Sequence, residues 1–156
     1  MTGIVRFGFV TLAILVMSQQ ANAQASYQTG QNISPAFEGW EENEDGSFNM
    51  VFGYMNRNWL EELDVPVGED NHISPGSADQ GQPTHLLPRR NRYVFKVRVP
   101  ADFGDQELIW TLTTHGKTEA AYGTLRLDYK LDYMVIMSET GSIGAGFTTE
   151  ASRANT

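Results

Sequence analysis

The sequence predicts an all-β fold: a single antiparallel β-sandwich of about seven short strands, with no disulfide. Three observations point there. Apolar and polar residues alternate with period two over much of the stretch from Ile33 to Met137, no stretch carries apolar residues at the 3.6-residue spacing of an amphipathic helix, and turn-forming residues separate the alternating runs. The 156-residue chain contains no cysteine, so its stability must rest on apolar burial and backbone pairing.

The elements follow in order. Phe37-Glu38-Gly39-Trp40 reads as a short first strand, and Asn43 to Ser47 as a turn built on Asp45-Gly46. Ser47 to Met55 alternates, with Phe48, Met50, Phe52 and Tyr54 on one face. After the turn Asn56-Arg57-Asn58, the run Trp59 to Val67 places Trp59, Leu63, Val65 and Val67 together, with Pro66 suggesting an edge or an end. Gly68 to Pro88 reads as a long irregular loop. Asn91 to Pro100 is the clearest strand, with Tyr93, Phe95, Val97 and Val99 inward. Glu107 to Thr114 presents Leu108, Trp110 and Leu112; His115-Gly116-Lys117 turns the chain, Thr118 to Leu125 returns it, and Leu131 to Ser138 is the last predicted strand. This pattern suits a sandwich of immunoglobulin-like or fibronectin-like type without the antibody disulfide, Trp110 being the candidate core tryptophan.

The two ends read differently. Arg6, the apolar run Phe7 to Met17 and Ala21-Asn22-Ala23 have the layout of a secretory signal peptide spanning 1–23. An apolar run of 11 residues is too short to cross a bilayer, which takes about 20. Cleavage after Ala23 leaves 133 of the 156 residues: a flexible start at 24–32, the sandwich at 33–138 and a disordered tail at 139–156, rich in Gly, Ser, Thr and Ala. The expected location is therefore periplasmic, secreted or at the cell surface, and the cysteine-free exported chain reads as bacterial.

Charge narrows the partners. Loss of Arg6 takes the net charge from −8 to −9, which disfavours nucleic acid and anionic membrane surfaces, and nothing past the leader is apolar for long enough to span a membrane. An unknown protein or a glycan is the expected partner. The charges also segregate. Residues 38–70 carry ten acids and one base, Arg57, whereas Arg89, Arg90, Arg92, Lys96 and Arg98 fall within ten residues. A cationic stripe could take an anionic ligand, but the commoner use of such a pattern is cross-strand pairing with the acidic strands.

No constellation predicts chemistry. Ser, His and Asp have no nucleophile elbow, and no glycine-rich phosphate loop precedes a helix. Glu61 and Glu62 are adjacent in an extended run and face apart. Asp70, Asn71, Asp79 and Gln80 are oxygen donors without calcium-loop spacing, and His72, His85 and His115 lack zinc spacing. The sequence therefore predicts no catalytic residue, no metal and no cofactor. The expected function is a non-enzymatic exported sandwich that binds or packs against another macromolecule, with a carbohydrate-binding module as the alternative and an enzyme third. Tyr27, Tyr122, Tyr129 and Tyr133 fall outside the core pattern and could stack on sugar rings. The long loop is the expected contact surface, on Asp79, Gln80, Gln82, Thr84, Arg89 and Arg90, since loops on a rigid scaffold commonly carry binding.

The run from Trp40 to Thr114 also resembles a module of exported bacterial proteins that has no assigned activity. The matching pieces are Asp45-Gly46-Ser47-Phe48, Phe52 to Asn58, Val65-Pro66-Val67-Gly68, Asn71, Pro75-Gly76, Asp79 to Thr84, Pro88-Arg89-Arg90, Phe95-Lys96-Val97 and Leu108 to Leu112. The resemblance implies a secreted or surface immunoglobulin-like β-sandwich and assigns no catalytic residue.

Overall fold

The computed structural model describes residues 27–132. The predicted leader, the tail, Tyr133 and all but the first two residues of the last predicted strand lie outside them. The described strands are β1 (Ile33–Glu42), β2 (Phe48–Asn56), β3 (Leu63–Asp64), β4 (Asn71–Ser74), β5 (His85–Leu86), β6 (Arg89–Val99), β7 (Leu108–Thr114) and β8 (Lys117–Gly123). A 3-10 turn follows at Leu127–Tyr129.

All strand pairings between these elements are antiparallel. One sheet runs β1-β2-β6, the other β4-β7-β8, and β3 pairs with β5. These are the A-B-E and C-F-G orders of an immunoglobulin-like sandwich. Its core joins the two sheets through aromatic rings. Trp110 of β7 meets Phe95 of β6 edge-on at 5.0 Å and Phe52 of β2 at 6.3 Å, while Phe52 and Phe95 stack at 5.4 Å. Met50, Ile73, Leu86, Leu108 and Leu112 complete the filling, all buried.

Turn chemistry sets the hairpins. Asp45 accepts hydrogen bonds from the Ser47 backbone N–H (3.2 Å) and hydroxyl (2.6 Å), closing the β1–β2 turn around Gly46. His115 and Gly116 both have positive φ, 50° and 72°, as a two-residue type I′ hairpin requires between β7 and β8. Gly39 (φ 137°) sits at a register shift in β1, where a Cβ would collide with the Tyr129 backbone oxygen and the Leu131 side chain. That close approach docks the last described segment on β1: the Leu131 N–H donates to the Trp40 carbonyl and the Trp40 indole N–H to the Arg126 carbonyl, both at 2.8 Å.

The structure corrects three expectations. The run Trp59 to Val67 is not a strand beyond Leu63–Asp64, and Trp59 is 54% exposed instead of buried. Asn56 and Asn58 turn the chain tightly enough to throw Trp59 outward before pairing resumes. The loop Gly68 to Pro88 is not wholly irregular, because β4 lies inside it as an edge partner of β7 and β5 lies near its end. β4 offers only one apolar residue, Ile73, and takes its other inward position from Asn71, whose polar groups are all satisfied internally. The first strand starts at Ile33, not Phe37, and buries Ile33 completely. Phe48, Leu63 and Val67 are only partly buried; apart from these and Trp59, the predicted core residues are buried.

Candidate functional site

One end of the sandwich gathers exposed apolar side chains on a stiff base. The base is the β2–β3 turn, held by two fully buried asparagines. The Asn56 amide donates to the Glu61 carbonyl (2.8 Å) and the Leu86 carbonyl (3.4 Å), and its oxygen accepts from the Asn58 backbone and side chain (3.0 and 2.9 Å). Asn58 in turn pairs with both backbone groups of Gln31, accepting from its N–H at 2.7 Å and donating to its carbonyl at 2.8 Å. The Trp59 and Leu60 N–H groups donate to the Tyr27 and Gln28 carbonyls, both at 3.1 Å. Glu61 ties the same end to the β7–β8 hairpin, accepting from the Gly30 N–H (2.6 Å) and pairing with His115 (3.1 Å).

What this base presents is unusual for a surface. Trp59 is 54% exposed, Leu60 70%, Leu87 45% and Tyr27 54%. Arg89, in the left-handed region at φ 72°, lays its guanidinium over the Trp59 ring at 3.5 Å from the centroid. At that distance the guanidinium must lie flat on the ring. One indole face is therefore covered, and Trp59 as a residue still leaves 54% of its surface to solvent. Contiguous exposed apolar groups on a rigid base mark contact sites more often than chance exposure does.

The cationic strand is mostly neutralised. Arg90, Lys96 and Arg98 of β6 reach Glu38, Glu41 and Asp45, crossing β2 to β1 and its turn. The cross-strand pairing reading of the charge pattern thus holds for these three. Arg89 makes no ion pair among the described residues, its guanidinium resting instead on Trp59.

The structure engages the six residues expected to form a site in different ways. Asp79, Gln80 and Gln82 bond within the loop: Asp79 accepts from the Gly81 N–H, Gln80 donates to the Pro75 and Ser77 carbonyls, and Gln82 accepts from the Gln80 N–H. Gln82 is fully buried and also donates to the Asn71 and Ala78 carbonyls, so it braces the loop rather than facing a partner. The Thr84 carbonyl accepts from the Val65 N–H at 2.8 Å. Arg90 is engaged by Glu38 and by the Tyr54 and Asn91 carbonyls. Arg89 alone of the six joins the exposed end. Tyr27, Tyr122 and Tyr129 are exposed as their place outside the core pattern suggests. The sequence signal that points to Trp59 is the Asn56-x-Asn58 pair directly before it, a turn that takes the next residue out of strand register.

The histidines are partnered separately. His85 bridges Asp64 (2.7 Å) and Glu62 (3.0 Å); the hydrogen bond it donates to the Asp64 carboxylate raises its pKa most, burial opposes this, and the bond to Glu62 adds to the rise. His72 contacts the Glu69 carbonyl. Glu61 and Glu62 address different histidines and do not converge. A shallow groove of about 390 Å³ runs between Leu63–Asp70 and Thr113–His115, with Asp64, Glu69 and Asp70 on its wall. Burial pushes the Tyr54 phenol up to about 12; its oxygen accepts from the Leu87 N–H at 2.8 Å, a structural bond beneath the exposed end. Among the described residues no three His, Asp or Glu side chains converge at metal-ligand spacing, and no helix is long and apolar enough to cross a membrane. No protein-family model matches the chain, and neither a curated protein nor a solved structure does.

Proposed function

We propose that this chain is an exported, non-enzymatic β-sandwich that docks on another macromolecule of the cell envelope through the end carrying Trp59. The observation that carries this reading is the Trp59–Arg89 stack. An exposed tryptophan on the same end as exposed Leu60, Leu87 and Tyr27 has the composition of a contact hot spot. The buried Asn56 and Asn58 hold it in place beforehand, so little ordering entropy is lost when a partner arrives. Export is supported by the leader-like first 23 residues.

The test is retention of purified mature chain on a washed bacterial envelope fraction. The unmodified chain is expected to sediment with the envelope, and Trp59→Ala to lose most of that retention at an unchanged melting temperature. Equal retention of the two proteins would move the contact surface elsewhere.

A further inference from the structure

Resting on the binding reading above, we infer that the partner is a uronate-bearing polysaccharide, with a pyranose ring stacked on the face of Trp59 away from Arg89 and a neighbouring carboxylate held by Arg89. The first support is the ring itself. It is backed by a cation on one face, and the residue remains 54% exposed. The C–H groups on a pyranose face carry slight positive charge and complement such a surface. Tyr27, whose carbonyl accepts from Trp59, places a second exposed aromatic residue beside it.

The second support is Arg89. Because its guanidinium lies flat on the indole, its N–H donors point sideways in the plane of the group, where a carboxylate can accept two of them. No carboxylate of the described chain takes that place. A sugar one ring length along the same chain reaches past the indole edge to it.

The third support is what this end refuses. The backbone groups a peptide would need are already used: the N–H groups of Trp59, Leu60 and Leu87 donate internally, and the Leu87, Pro88 and Arg89 carbonyls accept from Asn91. Main-chain pairing with an added strand is therefore closed here. A densely charged polymer is also disfavoured, since Glu61 and Glu62 stand next in sequence and the chain carries a net charge of −8. A sparsely anionic chain with apolar ring faces fits what remains.

The test uses the mature chain and four probes: gellan and glucuronoxylan, in which uronates are spaced by neutral sugars, the neutral glucan pullulan, and poly-glutamate as an anion without sugar rings. Trp40 and Trp110 are buried, so acrylamide quenching of tryptophan fluorescence reports chiefly on Trp59. At least one uronate polymer is expected to protect the fluorescence, and pullulan and poly-glutamate are not. In calorimetric titrations with that polymer, Trp59→Ala and Arg89→Gln should each weaken binding by about tenfold or more, and Arg126→Ala, a remote exposed cation, should not. Equal binding of pullulan, equal binding of poly-glutamate, or binding of neither uronate polymer would each overturn the inference. In the last case, envelope retention that still depends on Trp59 would leave the docking reading standing with a protein as the partner.

Discussion

The indole N–H of Trp110 donates to the Asn71 side-chain oxygen at 2.9 Å, in the middle of the sandwich where both residues are fully buried. The other half of the Asn71 amide donates to the Val65 and Pro83 carbonyls, both at 2.9 Å. One short polar side chain thus satisfies the core tryptophan and holds both flanks of the loop that precedes β5. Asn71→Leu leaves the Trp110 N–H and two carbonyls without partners. Leaving a buried polar group unsatisfied costs about 1–3 kcal/mol each, so the variant should lose about 3 kcal/mol or more, or fail to fold. Urea titration followed by tryptophan fluorescence measures it; a loss below about 1 kcal/mol would show that water replaces the amide.

The aromatic core makes a second expectation quantitative. Phe95 stacks on Phe52 and abuts Trp110. Phe95→Ala should cost about 3–5 kcal/mol, because the cavity it leaves lies between two sheets that cannot close on it. Retention of full stability would mean that the sheets are not packed through these rings.

These residues show what the sequence carries and what it hides. The strands with clear alternation, β2, β6 and β7, were legible because each has a run of large apolar or aromatic residues at alternate, inward positions. β4 was not, since Asn71 occupies a core position by virtue of bonds to residues distant in sequence, and no local pattern marks that. Val51 escaped for a related reason. It sits on the outer face of β2, yet is fully buried. Lys96 is its register partner, and the Lys96–Glu41 ion pair spans β2 at its level, so aliphatic stems shield it. Trp59 failed the opposite way: its apolar character suggested burial, and only the turn geometry set by Asn56 and Asn58 exposes it.

Stability should depend on pH through His85. Its pKa is raised in the folded protein by hydrogen bonds it donates to Asp64 and Glu62, against an ordinary value of 6.5. A raised folded-state pKa contributes stability that is fully present below the unfolded value and is lost as pH rises through the folded value. The carboxylates facing the ring are Asp64 of β3 and Glu62 just before it, and the Glu62 charge also acts on the Tyr54 phenol. Below the ordinary carboxylate range the pair is lost from the other side. His85→Gln should therefore abolish a decline in melting temperature between about pH 6 and pH 8 that the unmodified chain shows. Identical pH profiles for the two proteins would mean that the His85 bridge adds nothing to folding.

Export makes a prediction independent of the fold. If Ala21-Asn22-Ala23 is a cleavage signal, the secreted product begins at Gln24. N-terminal sequencing of protein recovered outside the cytoplasm reads this directly; a product retaining Met1 would remove the reason for placing the chain in the envelope.

Gln82 and Arg89 separate scaffold from contact within the region expected to bind. Gln82 is fully buried, and its side chain bonds the backbone of Asn71, Ala78 and Gln80. Gln82→Ala removes all three bonds and opens a void, which should cost about 2–3 kcal/mol. Arg89 is exposed and holds a strained left-handed backbone without an ion pair among the described residues. Arg89→Gly relieves that strain and removes the cation, so it should change stability by less than about 1 kcal/mol while weakening any binding centred on Trp59. Thermal melts of both variants, set beside their envelope retention, give a crossed pattern: low stability with binding kept per folded molecule for Gln82→Ala, full stability with binding lost for Arg89→Gly. The reverse pattern would return the contact surface to the Asp79–Thr84 loop.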